Sequence, residues 1–161
     1  MKAIIYESNA GSTKKYAEML AEKLGVPAYS LKQAKKQLQK GEKAVFLGWV
    51  FANKVQGLKK ALNRWDIVCA GAVGMNPPVK TYFDILRKAN PTECPLFYLP
   101  GALYPDRLRW LQRKLIATIR SDLEKQAKPG TEDMIKVLRD GCDNVSEENL
   151  EQLIAYVLSN T

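Results

Sequence analysis

Two stretches of this chain, Lys43–Val50 (KAVFLGWV) and Asp66–Val73 (DIVCAGAV), are almost continuously apolar and do not alternate. A strand with one wet face alternates, whereas a parallel strand covered on both faces reads as an unbroken apolar run. Covering both faces takes helices on either side of a sheet, and the rest of the chain supplies them in alternation with further short strands. Lys2–Glu7 reads as a first strand, Val26–Leu31 as a second, and Pro95–Leu99 as a fifth. Between them, Ala17, Leu20, Ala21 and Leu24 fall at i, i+3, i+4 and i+7, and Gly25 stops that helix. Lys32–Lys40 is a Lys/Gln-rich surface helix ended by Gly41. Gly57–Trp65 is a short helix, and Val79–Ala89 follows Pro77-Pro78. Ser146–Leu158 closes the chain, with Ser146 as its cap and Leu150, Leu153, Ile154, Val157 and Leu158 at core spacing. The pattern is α/β: five parallel strands in one sheet, helices on both faces, and ligands at the carboxyl ends of the strands.

At 161 residues, with 46% hydrophobic and 26% charged side chains, the chain is read as one domain spanning 1–161. It contains no histidine, which removes Ser-His-Asp and Cys-His nucleophilic catalysis, imidazole acid–base chemistry and histidine-based zinc sites together. Cys69, Cys94 and Cys142 are far apart and odd in number, a usage that fits a reducing, cytoplasmic setting. Met1-Lys2 leads directly into Ala3-Ile4-Ile5-Tyr6, too short for a signal h-region, and no apolar run approaches the ~18 residues of a membrane span. The formal charge is +8, distributed as +9 over residues 1–104, +4 over 105–130 and −5 over 131–161. That balance attracts phosphates, nucleic acid or anionic membrane surfaces. Nucleic acid is not expected, because the lysine-rich segment 32–43 has no interleaved aromatics.

Ser8-Asn9-Ala10-Gly11-Ser12-Thr13 joins the first strand to the first helix. Hydroxyls and a glycine at a helix N-terminus present N–H and O–H donors suited to phosphate. The spacing is neither that of a Walker A loop nor G-x-G-x-x-G. Alone, such a turn is more often plain capping; on the first strand of an α/β pattern it favours phosphate. Tyr6-x-Ser8-x-Ala10-Gly11-x-Thr13, followed by Tyr16-Ala17 and Leu20-Ala21-x-x-Leu24, resembles the flavodoxin family's FMN phosphate loop. The family's middle threonine is Ala10 here, so one hydroxyl is lost. The resemblance implies a flavodoxin-like three-layer sandwich with strand order 2-1-3-4-5 and a noncovalently bound FMN.

Two further segments then take roles that the resemblance implies. Leu47-Gly48-Trp49-Val50-Phe51-Ala52-Asn53-Lys54 corresponds to the loop that covers one face of the isoalloxazine ring, with an aromatic stacked on the flavin; a buried-core role for Trp49 and Phe51 is the alternative. Val73, Gly74 and Met75 open the third flavin-facing loop, whose amides approach the ring edge; an ordinary strand-to-helix turn is the alternative there.

The most distinctive stretch is Pro100-Gly101-Ala102-Leu103-Tyr104-Pro105-x-x-Leu108-Arg109-Trp110-x-x-Arg113-x-x-Ile116. It resembles a segment of the menaquinone-dependent protoporphyrinogen dehydrogenases, flavodoxin-fold FMN enzymes, with Tyr104 one residue earlier than in their pattern. The resemblance implies a redox flavoprotein with a quinone, porphyrin or protein partner reaching the flavin edge near Tyr104. From the residues themselves, 104–126 reads as an extra basic amphipathic helix. Leu108, Leu111, Leu115, Ile116, Ile119 and Leu123 share one face, and Trp110 lies among Arg109, Arg113, Lys114 and Arg120 on the other. Such a Trp suits a membrane headgroup layer or an anionic ligand, or else it tucks under a neighbouring loop on a solvated basic face. Two other functions stay open: a simple electron-carrier flavodoxin, and a flavodoxin-fold partner-binding module without a cofactor.

Overall fold

The computed structural model describes residues 1–126 and 128–160. In chain order its elements are β1 (Ala3–Glu7), α1 (Ser12–Leu24), β2 (Ala28–Ser30), α2 (Leu31–Gln37), β3 (Lys43–Phe51), β4 (Lys54–Val55), α3 (Leu58–Leu62), β5 (Asp66–Gly74), α4 (Lys80–Ala89), β6 (Leu96–Pro100), β7 (Ala102–Leu103), α5 (Trp110–Gln126), α6 (Glu132–Asp140), β8 (Cys142–Asp143) and α7 (Glu151–Asn160). The main sheet runs β2-β1-β3-β5-β6, all parallel, with β4 added antiparallel to the end of β3. With β4 left aside, this is the order 2-1-3-4-5. The chain divides into two compact units, one comprising Met1–Gly101 and the segment from Val145 onward, the other Ala102–Asn144.

The first unit has a core on each face of the sheet. On one face, Ile5, Ala44, Phe46, Ile67, Ala70, Ala72 and Leu96 pack against Leu31 and Ala34 of α2, Leu58 and Ala61 of α3, Trp65, and Leu86 of α4. On the other, Ile4, Val45, Leu47, Cys69, Val73 and Leu99 pack against Tyr16, Ala17, Leu20 and Ala21 of α1 and Leu153 and Val157 of α7. Strict alternation along β5 would put Ile67 on the same face as Cys69. The register slips by one residue between the Ala44↔Ile67 and Val45↔Cys69 pairs, and this turns Ile67 onto the face of Ala70 and Ala72.

Local signals account for several element ends. Gly25 closes α1 with φ +64, donating its N–H to Ala21 and Glu22. The second strand is shorter than Val26–Leu31: its last residue, Ser30, still pairs with Tyr6 and at the same time caps α2, so the strand ends before Leu31. Its Oγ accepts from Gln33 N at 3.3 Å and its own N–H donates to Gln33 Oε1 at 3.0 Å. Two expectations are corrected. The helix expected from Tyr104 begins at Trp110. Pro105 disfavours helical geometry at the residue before it, Tyr104 is extended, and only a 3-10 turn forms at Pro105–Arg107. Ser146 does not cap the last helix, which starts at Glu151 after a 3-10 turn at Glu148–Leu150. Residues 131–145, to which the sequence reading assigns no element, contain α6 and β8; β8 pairs with β7 through Ala102↔Asp143 and Leu103↔Cys142.

Gly71 sits at the middle of β5, where an added Cβ would lie 2.4 Å from Leu47 Cδ2 and 3.0 Å from Leu99 Cδ1. Gly71→Ala is expected to destabilise the protein by about 1–3 kcal/mol through overpacking, read as a lower urea midpoint; an unchanged midpoint would show that Leu47 turns away freely. Burial pushes the Cys69 thiol from 9.0 up to about 12. Cys69 is therefore expected to be silent to Ellman's reagent at pH 8 in the folded protein and to react once urea unfolds it. Rapid native labelling of Cys69 would contradict the packing described.

Candidate functional site

Strand register brings the sequence-predicted loops of the first unit together. Glu7 at the end of β1 lies beside Gly48, Trp49 beside Val73, and Gly74 beside Pro100. The loops after β1, β3 and β5 therefore leave the carboxyl edge of three adjacent strands. The chain departs from β1 toward β2 on one side, and β3 lies on the other, so this is the switch point at which open α/β sheets bind ligands.

The first loop is built to present donors. Gly11 takes φ +104, the left-handed region that favours glycine, and precedes α1 without any side-chain cap. The first N–H groups of α1 have no acceptor within the helix. Ser8 Oγ accepts from Gly11 N at 3.2 Å and from Lys14 N at 3.4 Å, both long bonds. Thr13 is 1% exposed, and its Oγ1 is buried with no hydrogen-bond partner. A buried hydroxyl without a partner is costly unless something completes it. A phosphate oxygen at the head of α1 would be the missing acceptor, so Ser8, Asn9, Ala10, Gly11, Ser12 and Thr13 fit such a group, with Ala10 adding no hydroxyl of its own.

The aromatic segment is a β-hairpin rather than an open loop. Trp49, Val50 and Phe51 belong to β3 and Lys54 to β4; Val50 faces Val55 and Phe51 faces Lys54. The turn residues Ala52 and Asn53 both have positive φ, +47° and +61°, as a two-residue type I′ connection requires. Trp49 is half-buried, Phe51 is 46% exposed, and their ring centroids are 5.8 Å apart. Neither ring is in the buried core, which leaves an aromatic surface on the hairpin. Gly48 lets the hairpin close, since a Cβ there would stand 2.6 Å from the Gln56 carbonyl oxygen.

In the third segment, Val73 and Gly74 belong to β5. The Val73 side chain is core and Gly74 is buried, so of these three residues only the half-buried Met75 is open to a ligand at this edge. Gly74 carbonyl accepts from Gly101 N at 2.6 Å, and a Cβ on Gly74 would meet Tyr98 Oη at 2.9 Å.

Tyr104, Arg109, Trp110 and Arg113 lie in the second unit. Tyr104 donates its hydroxyl to Asp143, and that carboxylate holds the phenol above its ordinary range; Arg107 lies 4.7 Å over its ring. Arg113 donates to the Asp106 carbonyl at 2.8 Å, and Arg109 N donates to Gln112 Oε1 at 2.8 Å. Trp110 is 65% exposed, so it is not tucked under a loop.

Sequence reasoning missed three residues that hold the first unit's loops in place. Asn90, 8% exposed at the end of α4, accepts from Val55 N at 2.8 Å and donates Nδ2 to the Asn53 carbonyl at 2.7 Å and the Leu86 carbonyl at 2.8 Å. Lys54 Nζ adds a bond to the Ala89 carbonyl. Tyr98 donates to the Asn76 carbonyl at 2.7 Å and so fixes the third loop. Tyr16, fully buried, donates to the Pro100 carbonyl at 2.5 Å and accepts from Asn149 Nδ2 at 2.7 Å. Asn90-Pro91 reads in sequence only as a helix stop; a partner 35 positions away leaves no local signal.

Volume alone would point elsewhere. An open groove of about 830 Å³ runs along β6 between Tyr82, Phe83 and Arg87 of α4 and Glu151 and Gln152 of α7, and no phosphate-loop or hairpin residue lines it. The groove has an uncompleted donor of its own, the buried Tyr82 hydroxyl; what singles out the β1–α1 loop is that its uncompleted Thr13 hydroxyl stands at a helix head, beside first-turn N–H groups that have no acceptor within the helix.

With this geometry in hand, the family model described as flavodoxin domain matches residues 3–129. The chain belongs to the flavodoxin domain family. No curated protein and no solved structure matches it. The matched span of this flavodoxin domain contains all three loops and α5, and ends before α6. As a family, flavodoxin domains bind FMN, whose phosphate suits the donors of the first loop. Among the described residues no helix is long and apolar enough to cross a membrane.

Asn90→Ala would leave the Val55 N–H and the Asn53 carbonyl without their partner. The variant is expected to lose about 1–3 kcal/mol of stability and to exchange its Val55 amide faster by hydrogen exchange. Unchanged protection at Val55 would show that β4 pairing alone holds the hairpin.

Proposed function

We propose that this flavodoxin domain is an FMN-dependent oxidoreductase, a single flavodoxin-like domain elaborated by the 102–144 unit, acting on a porphyrinogen-type substrate with a quinone as electron acceptor. The observation that carries the flavin reading is the buried, partnerless Thr13 hydroxyl at the head of α1, on the first strand of a flavodoxin sheet. Ser8, Gly11, Ser12 and Thr13 would hold the phosphate through hydroxyls and backbone N–H groups, with no lysine or arginine in the loop itself. Trp49 and Phe51, stiffened by the hairpin and Asn90, would flank the ring, with Ala52, Asn53 and Lys54 at its turn. Met75 would meet the ring edge. When bound, FMN supplies hydride and one-electron transfer, which is why a chain without histidine can still be a catalyst.

The finer reading rests on the Pro100–Ile116 resemblance to menaquinone-dependent protoporphyrinogen dehydrogenases and on charge. A net +8 suits an anionic substrate better than a soluble shuttle that docks on basic partners. Ala10, which costs the loop one hydroxyl, favours the competing reading of a cofactor-free partner-binding module.

The purified protein is expected to be yellow and to release FMN on denaturation, and the apoprotein to take up FMN one-to-one in a fluorescence titration. Thr13→Val removes one bond to a charged group and should raise the FMN dissociation constant about tenfold or more. Gly11→Asp places a carboxylate and a disfavoured φ in the loop and should abolish uptake, with folding checked by circular dichroism. A colourless protein that ignores added FMN would establish the cofactor-free module instead. Flavin reduction by protoporphyrinogen with turnover on menaquinone separates the enzyme from a carrier, which would be reduced only by a protein donor.

A further inference from the structure

In the second unit, α5 packs against α6, yet none of its seventeen residues is buried. Ile116 and Leu123 are half-buried, while Leu111, Leu115 and Ile119, expected on the same packed face, are 62%, 44% and 38% exposed. They follow one another at i, i+4 and i+8, a row about 12 Å long at 1.5 Å per residue. Trp110, at 65% exposure, stands about 100° round the helix from Leu111, on the cationic side of the row. α6 packs on α5 and still leaves Leu111, Leu115 and Ile119 in water. Large apolar side chains left contiguous in water mark a surface that is covered by something else.

The charges flanking this row say what covers it. From Arg107 to Arg120 there are five cations, Arg107, Arg109, Arg113, Lys114 and Arg120, and no acid; the first acids of α5, Asp122 and Glu124, come in its last turns. Arg109, Arg113 and Lys114 form no ion pair among the described residues. Lys114 Nζ lies 5.4 Å over the Trp110 ring, so the exposed Trp carries a cation beside it. A second copy of the same face would bring like charges together and is disfavoured. An apolar row bordered by an exposed Trp and long cationic side chains matches the layering of an anionic bilayer surface, where aliphatic groups enter the acyl boundary, Trp sits at the interface, and Arg and Lys reach the phosphates.

We propose that residues 110–119 of α5, with Arg107 and Arg109 before them, lie on the surface of an anionic lipid bilayer and dock the protein there without crossing it. The docking is independent of any bound flavin.

The experiment uses the full chain and two kinds of vesicle: phosphatidylglycerol with phosphatidylcholine in equal parts, and phosphatidylcholine alone. The protein is expected to cosediment with the first and not the second. On binding, its tryptophan emission should shift to the blue, and Trp110→Phe should remove that shift. Leu111→Ser/Leu115→Ser and, separately, Arg113→Glu/Lys114→Glu should each weaken binding at least tenfold. All four positions are exposed, so circular dichroism should be unchanged. Three results would overturn the proposal: no cosedimentation with the anionic vesicles, binding that is indifferent to the leucine pair, or a dimer in sedimentation velocity that the leucine pair dissolves. The last would assign the face to a second copy. Because cosedimentation reads protein mass, a colourless protein that binds vesicles would sink the flavin reading and leave this one standing.

Discussion

Everything in the first unit depends on β3 and β5 being covered on both faces. Their side chains point alternately into two separate cores, one closed by α2, α3 and α4 and the other by α1 and α7. Such strands can be joined only by crossovers, which forces the parallel arrangement and sends every strand-to-helix loop out of the same edge. The phosphate loop, the aromatic hairpin and the Gly74–Met75 segment converge for that reason. Close packing sets the tolerance: Gly48 and Gly71 have no room for a Cβ without displacing a backbone oxygen or a neighbouring leucine.

The loops themselves are held by polar contacts that reach across the sheet. Asn90 ties the hairpin to the end of α4, Tyr98 ties the third loop to β6, and Tyr16 ties α1 to Pro100 and Asn149. Each is buried or partly buried, so each bond forms where water competes poorly. Against these completed networks, the Thr13 hydroxyl has no partner, as is true of Arg64 Nε, Trp65 Nε1 and the Tyr82 hydroxyl, but Thr13 is the one of the four that stands at the head of α1. A site designed for an anion carries its donors uncompleted when the anion is left out, and this is the physical basis of the flavin reading.

The second unit follows a different logic. Two helices and a short β7–β8 ladder bury little; Leu138 is the only fully packed position of α6, and α5 has none. Tyr104 to Asp143 joins residues 39 positions apart, while the bond from Arg113 to the Asp106 carbonyl is local. A fold of that kind leaves side chains available, and those of α5 sort into an apolar row and cationic flanks.

The parallel, doubly covered sheet and the place of the phosphate loop were legible in the chain because hydrophobic periodicity and glycine stops are local properties, whereas the strand order was implied only by the resemblance to flavodoxins. The unbroken runs at 43–50 and 66–73 and the stop at Gly25 need no partner to be read. Expectations failed where the decisive contact was distant. Nothing near Asn90 announces Val55, and no periodicity tells a stripe that will pack from one that will stay wet, so the shared face of Leu111, Leu115 and Ile119 did not show that these three stay exposed beside α6. The amino-acid sequence by itself determined a doubly covered sheet with a phosphate-competent first loop. Tertiary structure alone decided that Thr13 is left without a partner, that the aromatic segment closes as a hairpin, and that one apolar face of α5 stays open. These depend on how far neighbouring elements extend in space, which local periodicity does not encode.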